Sequence, residues 1–482
     1  MGTNVKTLRM TTLGVRLFAA LALASSASCS VGPNYEAPDV AVAPEFRSQP
    51  GPQEATSFAD LPWWQVFQDD KLQALIVEAL NNNNDLDAAV ARIEQARALV
   101  GVARSEFFPQ VEYGGAVGEE AAFVPQADSV DAVEYSGAGG GLSAAWELDL
   151  WGRVRRSSEA AQAHLMAEEY MRRGVTLALV SDVAAGYFRL LRLDRELQIA
   201  QESAGVYRDT RDLFTLRFEL GRDSRLPVER VRAAHDASIA RIADVRREIE
   251  QQENALCVLL GRYPSPIERG LPLGRQTTPQ TPPGLTTDLL RRRPDILAAE
   301  QDMIAANAEI GVAVANFFPR IGLSAFAGEQ SVDLDNGLSG SFGVWNIFGT
   351  LAGPIFTGGR LASIYNARRA YWDETIADYR QTVLVSFQET SDALAAQRLL
   401  AERRAAQETQ VQALRQSVEL SLLRYEAGRA SYFEVLEAEQ QLFPAEDALA
   451  NTQQAQLAAV ISLYKALGGG WTLSPEQWAQ PG

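Results

Sequence analysis

Beyond Pro109 the spacing of apolar residues changes from three or four positions to two, and the same change recurs beyond Pro319. Upstream of each proline, Leu86–Val102 and Ile296–Val312 carry the periodicity of a helix. Proline cannot continue a helix and pushes the residue before it toward extended backbone. SEFFPQV (Ser105–Val111) and ANFFPRI (Ala315–Ile321) therefore end these helices, at Phe108 and Phe318. Downstream, Val111, Tyr113 and Val117 alternate with Gln110, Glu112 and Gly114. Leu142, Ala144, Trp146, Leu148 and Leu150 alternate with Ser143, Ala145, Glu147 and Asp149, and Ile321, Leu323, Ala325 and Ala327 repeat the pattern. A fourth stretch, Phe342–Phe356, alternates less cleanly. Strands are predicted at about 108–122, 136–150, 318–330 and 342–356. Segments of this length with one apolar face suit membrane-crossing strands, and also amphipathic hairpins on a soluble sheet.

No proline occurs between Pro125 and Pro227 or between Pro354 and Pro444, and Arg360–Ala427 also lacks glycine. The pattern predicts helices at about 154–220, 227–260, 360–427 and 432–467. The longest would reach roughly 100 Å at about 1.5 Å per residue. Leu179, Val183, Tyr187 and Leu190 show the 3/4 spacing of a helix packed on neighbours, whereas Gly174, Gly186 and Gly205 weaken the first long helix. Trp63, Trp64 and Phe67 form an aromatic plug in an earlier helical stretch, Leu61–Leu80.

The chain is written twice. The FFP segments stand 210 positions apart; LRFELGRDS (Leu216–Ser224) returns 207 positions later as LRYEAGRAS (Leu423–Ser431). Leu259-Leu260-Gly261 and Ala466-Leu467-Gly468 close the units at the same offset. The chain therefore divides into a first repeat at 61–263, a linker at 264–284 holding six prolines, a second repeat at 285–471 and a tail at 472–482. Two such halves suggest a duct built by symmetry rather than a catalytic pocket.

Residues 1–28 have the basic start, short apolar core and small residues of a secretory signal. Its core is too short to cross a bilayer, and no later stretch offers about 18 apolar residues in a row. Cys29 comes directly after Ser26-Ala27-Ser28, which is similar to the bacterial lipoprotein box, although Ser26 stands where that family usually has leucine. The resemblance implies an N-acyl diglyceride, with palmitate, on Cys29. Ordinary signal-peptidase cleavage is the alternative. Ser30 after the cysteine resembles lipoproteins sent on to the outer membrane. Residues 29–60 then read as a lipid anchor and an extended, proline-rich strap.

Removing Lys6, Arg9 and Arg16 with the leader takes the net charge from −17 to −20, which disfavours nucleic acid as a partner. The other cysteine, Cys257, lies in an apolar run and reads as a buried thiol. Catalytic patterns are missing. His164 and His235 are the only histidines and lack ligand spacing, no GxxxxGKS/T motif occurs, and Gly137–Gly141 is no dinucleotide fingerprint. The sequence therefore predicts no enzyme, no metal and no cofactor beyond the acyl group.

A sheet in lipid must close, and four strands cannot, so membrane strands here require an oligomer of three or four chains. Cys29-Ser-Val-Gly-Pro-Asn-Tyr35, the paired FFP motifs, Arg292-Arg293-Pro294-Asp295-Ile296, Gly353-Pro354-Ile355-Phe356 and Arg424-Tyr425-Glu426-Ala427-Gly428 resemble the TolC-like outer-membrane factors. More narrowly, they resemble the lipoprotein branch that serves resistance–nodulation–division efflux pumps. That resemblance implies an α+β membrane protein, a homotrimer with a twelve-stranded outer-membrane β-barrel continuous with a periplasmic α-helical barrel. It implies a periplasmic adaptor, an inner-membrane RND pump and outer-membrane lipid as partners. The chain would be a passive exit duct for drugs or other small toxic compounds. The same family also serves type I protein secretion. A lipid-anchored coiled-coil scaffold without a pore is the alternative outside the family.

Two turns, at Gly221–Pro227 and Gly428–Glu434, join each long helix to its return helix. A glycine after a helix commonly takes the left-handed conformation, and Ser224 or Ser431 can cap the return helix. By resemblance, Gly221, Arg222, Ser224, Gly428, Arg429 and Ser431 are adaptor-docking tips. Glu434 and Glu437, three apart on one helix face, match acidic rings of the periplasmic aperture, usually aspartate in the family, and Tyr425 matches a gate tyrosine. Pro227 replaces the corresponding acid of the first repeat, leaving Glu229 as the candidate latch from that side.

Overall fold

The computed structural model describes residues 30–40, 43–48, 57–125, 130–277, 284, 286–331 and 341–479. The expected signal segment, 1–28, and the expected acylation site, Cys29, lie outside the described residues. Among the described residues, seven helices of 13 residues or more and four strands make up the two repeats. The first contains α1 (Asp70–Asn82), α2 (Asn84–Ser105), β1 (Gln110–Pro125), β2 (Val130–Leu148), α3 (Arg153–Glu219) and α4 (Arg225–Leu259). The second contains α5 (Pro294–Ala315), β3 (Arg320–Ser331), β4 (Phe342–Ala352), α6 (Arg360–Glu426) and α7 (Tyr432–Ala466). Equivalent helices match residue for residue. Both α2 and α5 have 22 residues, α3 and α6 have 67, and α4 and α7 have 35.

The glycines of α3 do not interrupt it. Gly186 sits where Leu256 of α4 comes so close that a Cβ would collide with it, so the missing side chain serves close helix packing. Prolines are placed by the same logic. Pro294 opens α5, and Pro227 lies in the first turn of α4, where the absent N–H had no helical partner. Pro444 lies well inside α7, which runs through it. α3 holds an 18-residue window of mean hydropathy 1.4, interrupted by charged residues and 61% buried, as in a core helix.

The compact units do not coincide with the repeats. One unit holds residues up to Asp39, Arg92–Glu168 and Ala298–Tyr379; the other holds Val40–Ala91, Glu169–Leu297 and Arg380 onward. Each unit takes equivalent parts of both repeats, because the long helices contribute to both.

The first unit carries a four-stranded antiparallel sheet in the order β1-β2-β3-β4. Its register lines up Tyr113, Leu142, Ala327 and Trp345 in one cross-strand row and Val111, Ala144, Ala325 and Ile347 in another, on the same face. Glu112, Ser143, Phe326 and Asn346 form a row on the opposite face. On the apolar face Tyr113 is 90% exposed and Trp345 75%, which water would not favour and lipid would. The fourth stretch alternates poorly because Phe342, Val344 and Phe348 of β4 are apolar on the face that carries Glu112, Ser143 and Asn346. β1 and β4 are open edges.

The strap lies against the helices of the same unit. Val31 N–H donates to the Trp151 carbonyl (3.1 Å), Asn34 accepts from Arg156 Nη2 (2.8 Å), and the Tyr35 hydroxyl donates to Glu300 (3.3 Å). Gly32 has φ +96°, and a Cβ there would stand 2.6 Å from the Gly311 Cα, so the Val-Gly-Pro-Asn-Tyr motif is a docking sequence for α5.

The core of the second unit buries Trp63, Phe67, Tyr187, Phe188 and Tyr464. Trp63 Nε1 donates to the Trp478 carbonyl at 3.1 Å, so the expected aromatic plug is tied to the C-terminal segment. Cys257 is buried beside Ser265. Twin contacts close the repeats: Asn83 Nδ2 donates to the Leu259 carbonyl (2.9 Å) and Arg293 Nη1 to the Ala466 carbonyl (3.0 Å).

Candidate functional site

Each long helix ends in the same turn. Gly221 and Gly428 adopt φ +67° and +68°. The next residue folds back, Arg222 N–H to the Arg217 carbonyl (2.8 Å) and Arg429 N–H to the Arg424 carbonyl (2.9 Å), which satisfies carbonyls that a helix end leaves open. Ser224 and Ser431 occupy the N-cap positions of α4 and α7, but neither hydroxyl makes a capping bond. A capping hydroxyl accepts from the second or third helical N–H. The third residue of α4 is Pro227, which has none, and Glu434 N–H goes instead to the Ser431 carbonyl (3.1 Å). Gly221, Arg222, Ser224, Gly428, Arg429 and Ser431 lie together at the turns, on the ends of the two hairpins.

The two hairpins, α3–α4 and α6–α7, meet along α3 and α7. Tyr207, Phe214, Val231, Tyr432, Val435 and Leu436 form one apolar cluster there. Phe214 packs edge-on against Tyr432 with centroids 5.0 Å apart, and Tyr207 against Phe443 at 5.9 Å. The Thr210 and Tyr432 hydroxyls are 2.6 Å apart. A cavity of about 290 Å3 beside this cluster is lined by Arg217, Tyr425, Tyr432 and Phe433.

The expected aperture residues separate on inspection. Tyr425 accepts a hydrogen bond from Arg217 Nη1 across the hairpins (2.6 Å), with the guanidinium over its ring at 5.8 Å. Glu434 is engaged by Arg424 of its own hairpin (3.0 Å), and Glu437 is exposed. Among the described residues Glu229 pairs along α4 with Arg225 (2.9 Å), and the first-repeat side chain bonded across to Tyr425 is Arg217. The repeat pointed to it: Arg217 and Arg424 occupy equivalent places in LRFELGRDS and LRYEAGRAS. Sequence reasoning also passed over Glu439. It comes after Val435 and Leu436 and precedes Leu442 and Phe443 at heptad spacing, a polar residue in an apolar register.

Comparison with known proteins settles the family. The model of the outer membrane efflux protein family matches residues 75–262 and 285–469, one segment in each repeat. The chain belongs to that family. Among its relatives, the antibiotic efflux pump outer membrane protein ArpC of Pseudomonas putida is 35% identical over 452 residues, covering 92% of this chain and 93% of ArpC. The cation efflux system protein CusC of Escherichia coli O157:H7 is 33% identical over 446 residues, covering 92% and 96%. The open state of the Neisseria gonorrhoeae MtrE outer membrane channel superposes with a TM-score of 0.81 at 32% identity, covering 92% of this chain and 99% of MtrE. The family's fold, four strands per chain with long helices from two repeats, is the fold described above. The protein is an outer-membrane efflux channel, and its chemistry is that of a transport duct.

Proposed function

We propose that three copies of this chain join β4 of one to β1 of the next and close a twelve-stranded barrel, the passive exit duct of a tripartite pump that expels small toxic compounds. The observation that carries this reading is the four-stranded sheet, with a lipid-suited face and two unpaired edges. The paired tips at Gly221-Arg222-Ser224 and Gly428-Arg429-Ser431 dock on a periplasmic adaptor, which couples the duct to an inner-membrane RND pump. Exposed Leu220, Leu226, Leu423 and Phe433 beside them supply apolar contact area. Tyr425, Glu434 and Glu437 belong to the periplasmic aperture, and the duct performs no catalysis. Cys29 carries the acyl anchor, a reading that rests on its sequence context; the next residue, Ser30, lies against Gly152, just past the end of β2. ArpC is named for antibiotics and CusC for cations, so the passenger is set by the pump and not by the fold.

In-cell photo-crosslinking from a probe amino acid at Ser431 tests the docking. Capture of a periplasmic adaptor is the expected result. Capture of unrelated periplasmic proteins alone, with the pump expressed, would favour a scaffold. A separate expectation concerns charge. Glu434→Ala with Glu437→Ala should lower the cation-over-anion permeability ratio in planar bilayers, with most of the loss already present in Glu437→Ala because Arg424 neutralises Glu434. Unchanged selectivity would remove both residues from the conducting path.

A further inference from the structure

Tyr432, Val435, Leu436, Glu439, Leu442 and Phe443 recur at three- and four-residue spacing along one face of α7. Five are apolar or aromatic, and the sixth is a carboxylic acid. Glu439 is 6% exposed, and its buried Oε2 has no hydrogen-bond partner. Burial alone governs its proton affinity and pushes it up to about 7; no charged group of α3, α4, α6 or α7 contributes. The titratable groups that feel it are Tyr207 on α3 and Tyr432 on its own helix. Both are pushed up to about 12, chiefly by burial, and stay neutral at physiological pH. A lone carboxylate between two hairpins is costly to keep charged and cheap to keep protonated.

We propose that Glu439 makes the seam between the two hairpins proton-sensitive: protonated it stays seated and the tips stay together, and ionised it moves to water and loosens α7 from α3. This deepens the reading of the tips as the mouth of the duct and rests on it. The direction of the shift sets the sign. The seated arrangement holds the proton more tightly than a solvated carboxyl with its ordinary value of 4.5. Packing is therefore strongest below that value, weakens as pH rises and reaches its minimum above about 7. Thr210–Tyr432 and Arg217–Tyr425 are the polar ties that must then hold the hairpins.

The test uses the full-length oligomer from about pH 5.5 to 8.5. Conductance is recorded in planar bilayers, and hydrogen exchange, corrected for its intrinsic pH dependence, is measured in residues 203–219 and 432–446. In the wild type both should rise several-fold between about pH 6 and 8. Glu439→Gln, and Glu439→Leu as a second proton-blind variant, should stay at the low-pH level throughout. His164→Gln and His235→Gln should respond like the wild type. A flat wild-type exchange profile overturns the proposal, as does a response that survives in Glu439→Gln or disappears in a histidine variant. Exchange that rises as expected in a protein that never conducts would support the switch and count against the channel reading, so the two failures are distinguishable.

Discussion

Asp69→Ala is expected to destabilise the protein by about 4 kcal/mol and to lower its thermal midpoint by several degrees. Asp69 is 1% exposed at the start of α1. Its Oδ1 accepts from the Lys71 and Leu72 N–H groups at 2.9 and 3.3 Å, capping the helix. Its Oδ2 accepts from the Tyr187 hydroxyl (3.2 Å), the Leu271 N–H (2.9 Å) and Gln276 Nε2 (2.8 Å). One carboxylate thus joins α1, α3 and the proline-rich linker. Removing it strands several donors in an interior where each charge-assisted bond contributes about 1.5–3 kcal/mol, and the losses overlap because the donors share one acceptor. Asp69→Asn keeps one oxygen and should lose about half as much. Differential scanning calorimetry of the detergent-purified protein measures both. A midpoint for Asp69→Ala equal to that of the wild type would show that the linker is held by other contacts.

The second large effect is a matched pair on one strand. Ile347 lies in the row of Val111, Ala144 and Ala325, and its neighbour Asn346 in the row of Glu112, Ser143 and Phe326. Ile347→Arg puts a guanidinium on the lipid-suited face, at about 2–4 kcal/mol per chain near the bilayer midplane. It should abolish insertion into the outer membrane in a closed oligomer, where every copy carries the change. Asn346→Arg adds the same charge on the watered face and should assemble and conduct. Heat-modifiable mobility of outer-membrane fractions reads this directly. If both variants assemble equally, the face assigned to lipid is wrong.

Sequence periodicity revealed the strands, the long helices and their tips, because each rests on a local rule: proline stops, period-two alternation, glycine after a helix. The strand ends were less legible. β1 and β2 extend to Pro125 and Val130, where acidic and small residues mask the alternation but the ladder continues. The candidate site was legible as a place and less so as a set of contacts. Tyr425 and the two glycines stand out from the repeat, whereas the partner of Tyr425 comes from 208 positions away in the chain. Ser224 reads as a cap by residue type, yet the Pro227 that removes its donor is visible three positions on. Glu439 needed a heptad count that stopped at charged residues as deliberately as it counted apolar ones.

The matched helix lengths carry a consequence for how this protein can change. One residue inserted into α3 but not into α6 lifts one tip by about 1.5 Å and swings it through about 100°, so any surface shared by both tips is broken at once. Seven residues added to both would restore the facing sides and raise the pair together by about 10 Å. Like the legs of a trestle, the two hairpins can be rebuilt in almost any timber, provided they are cut to the same gauge.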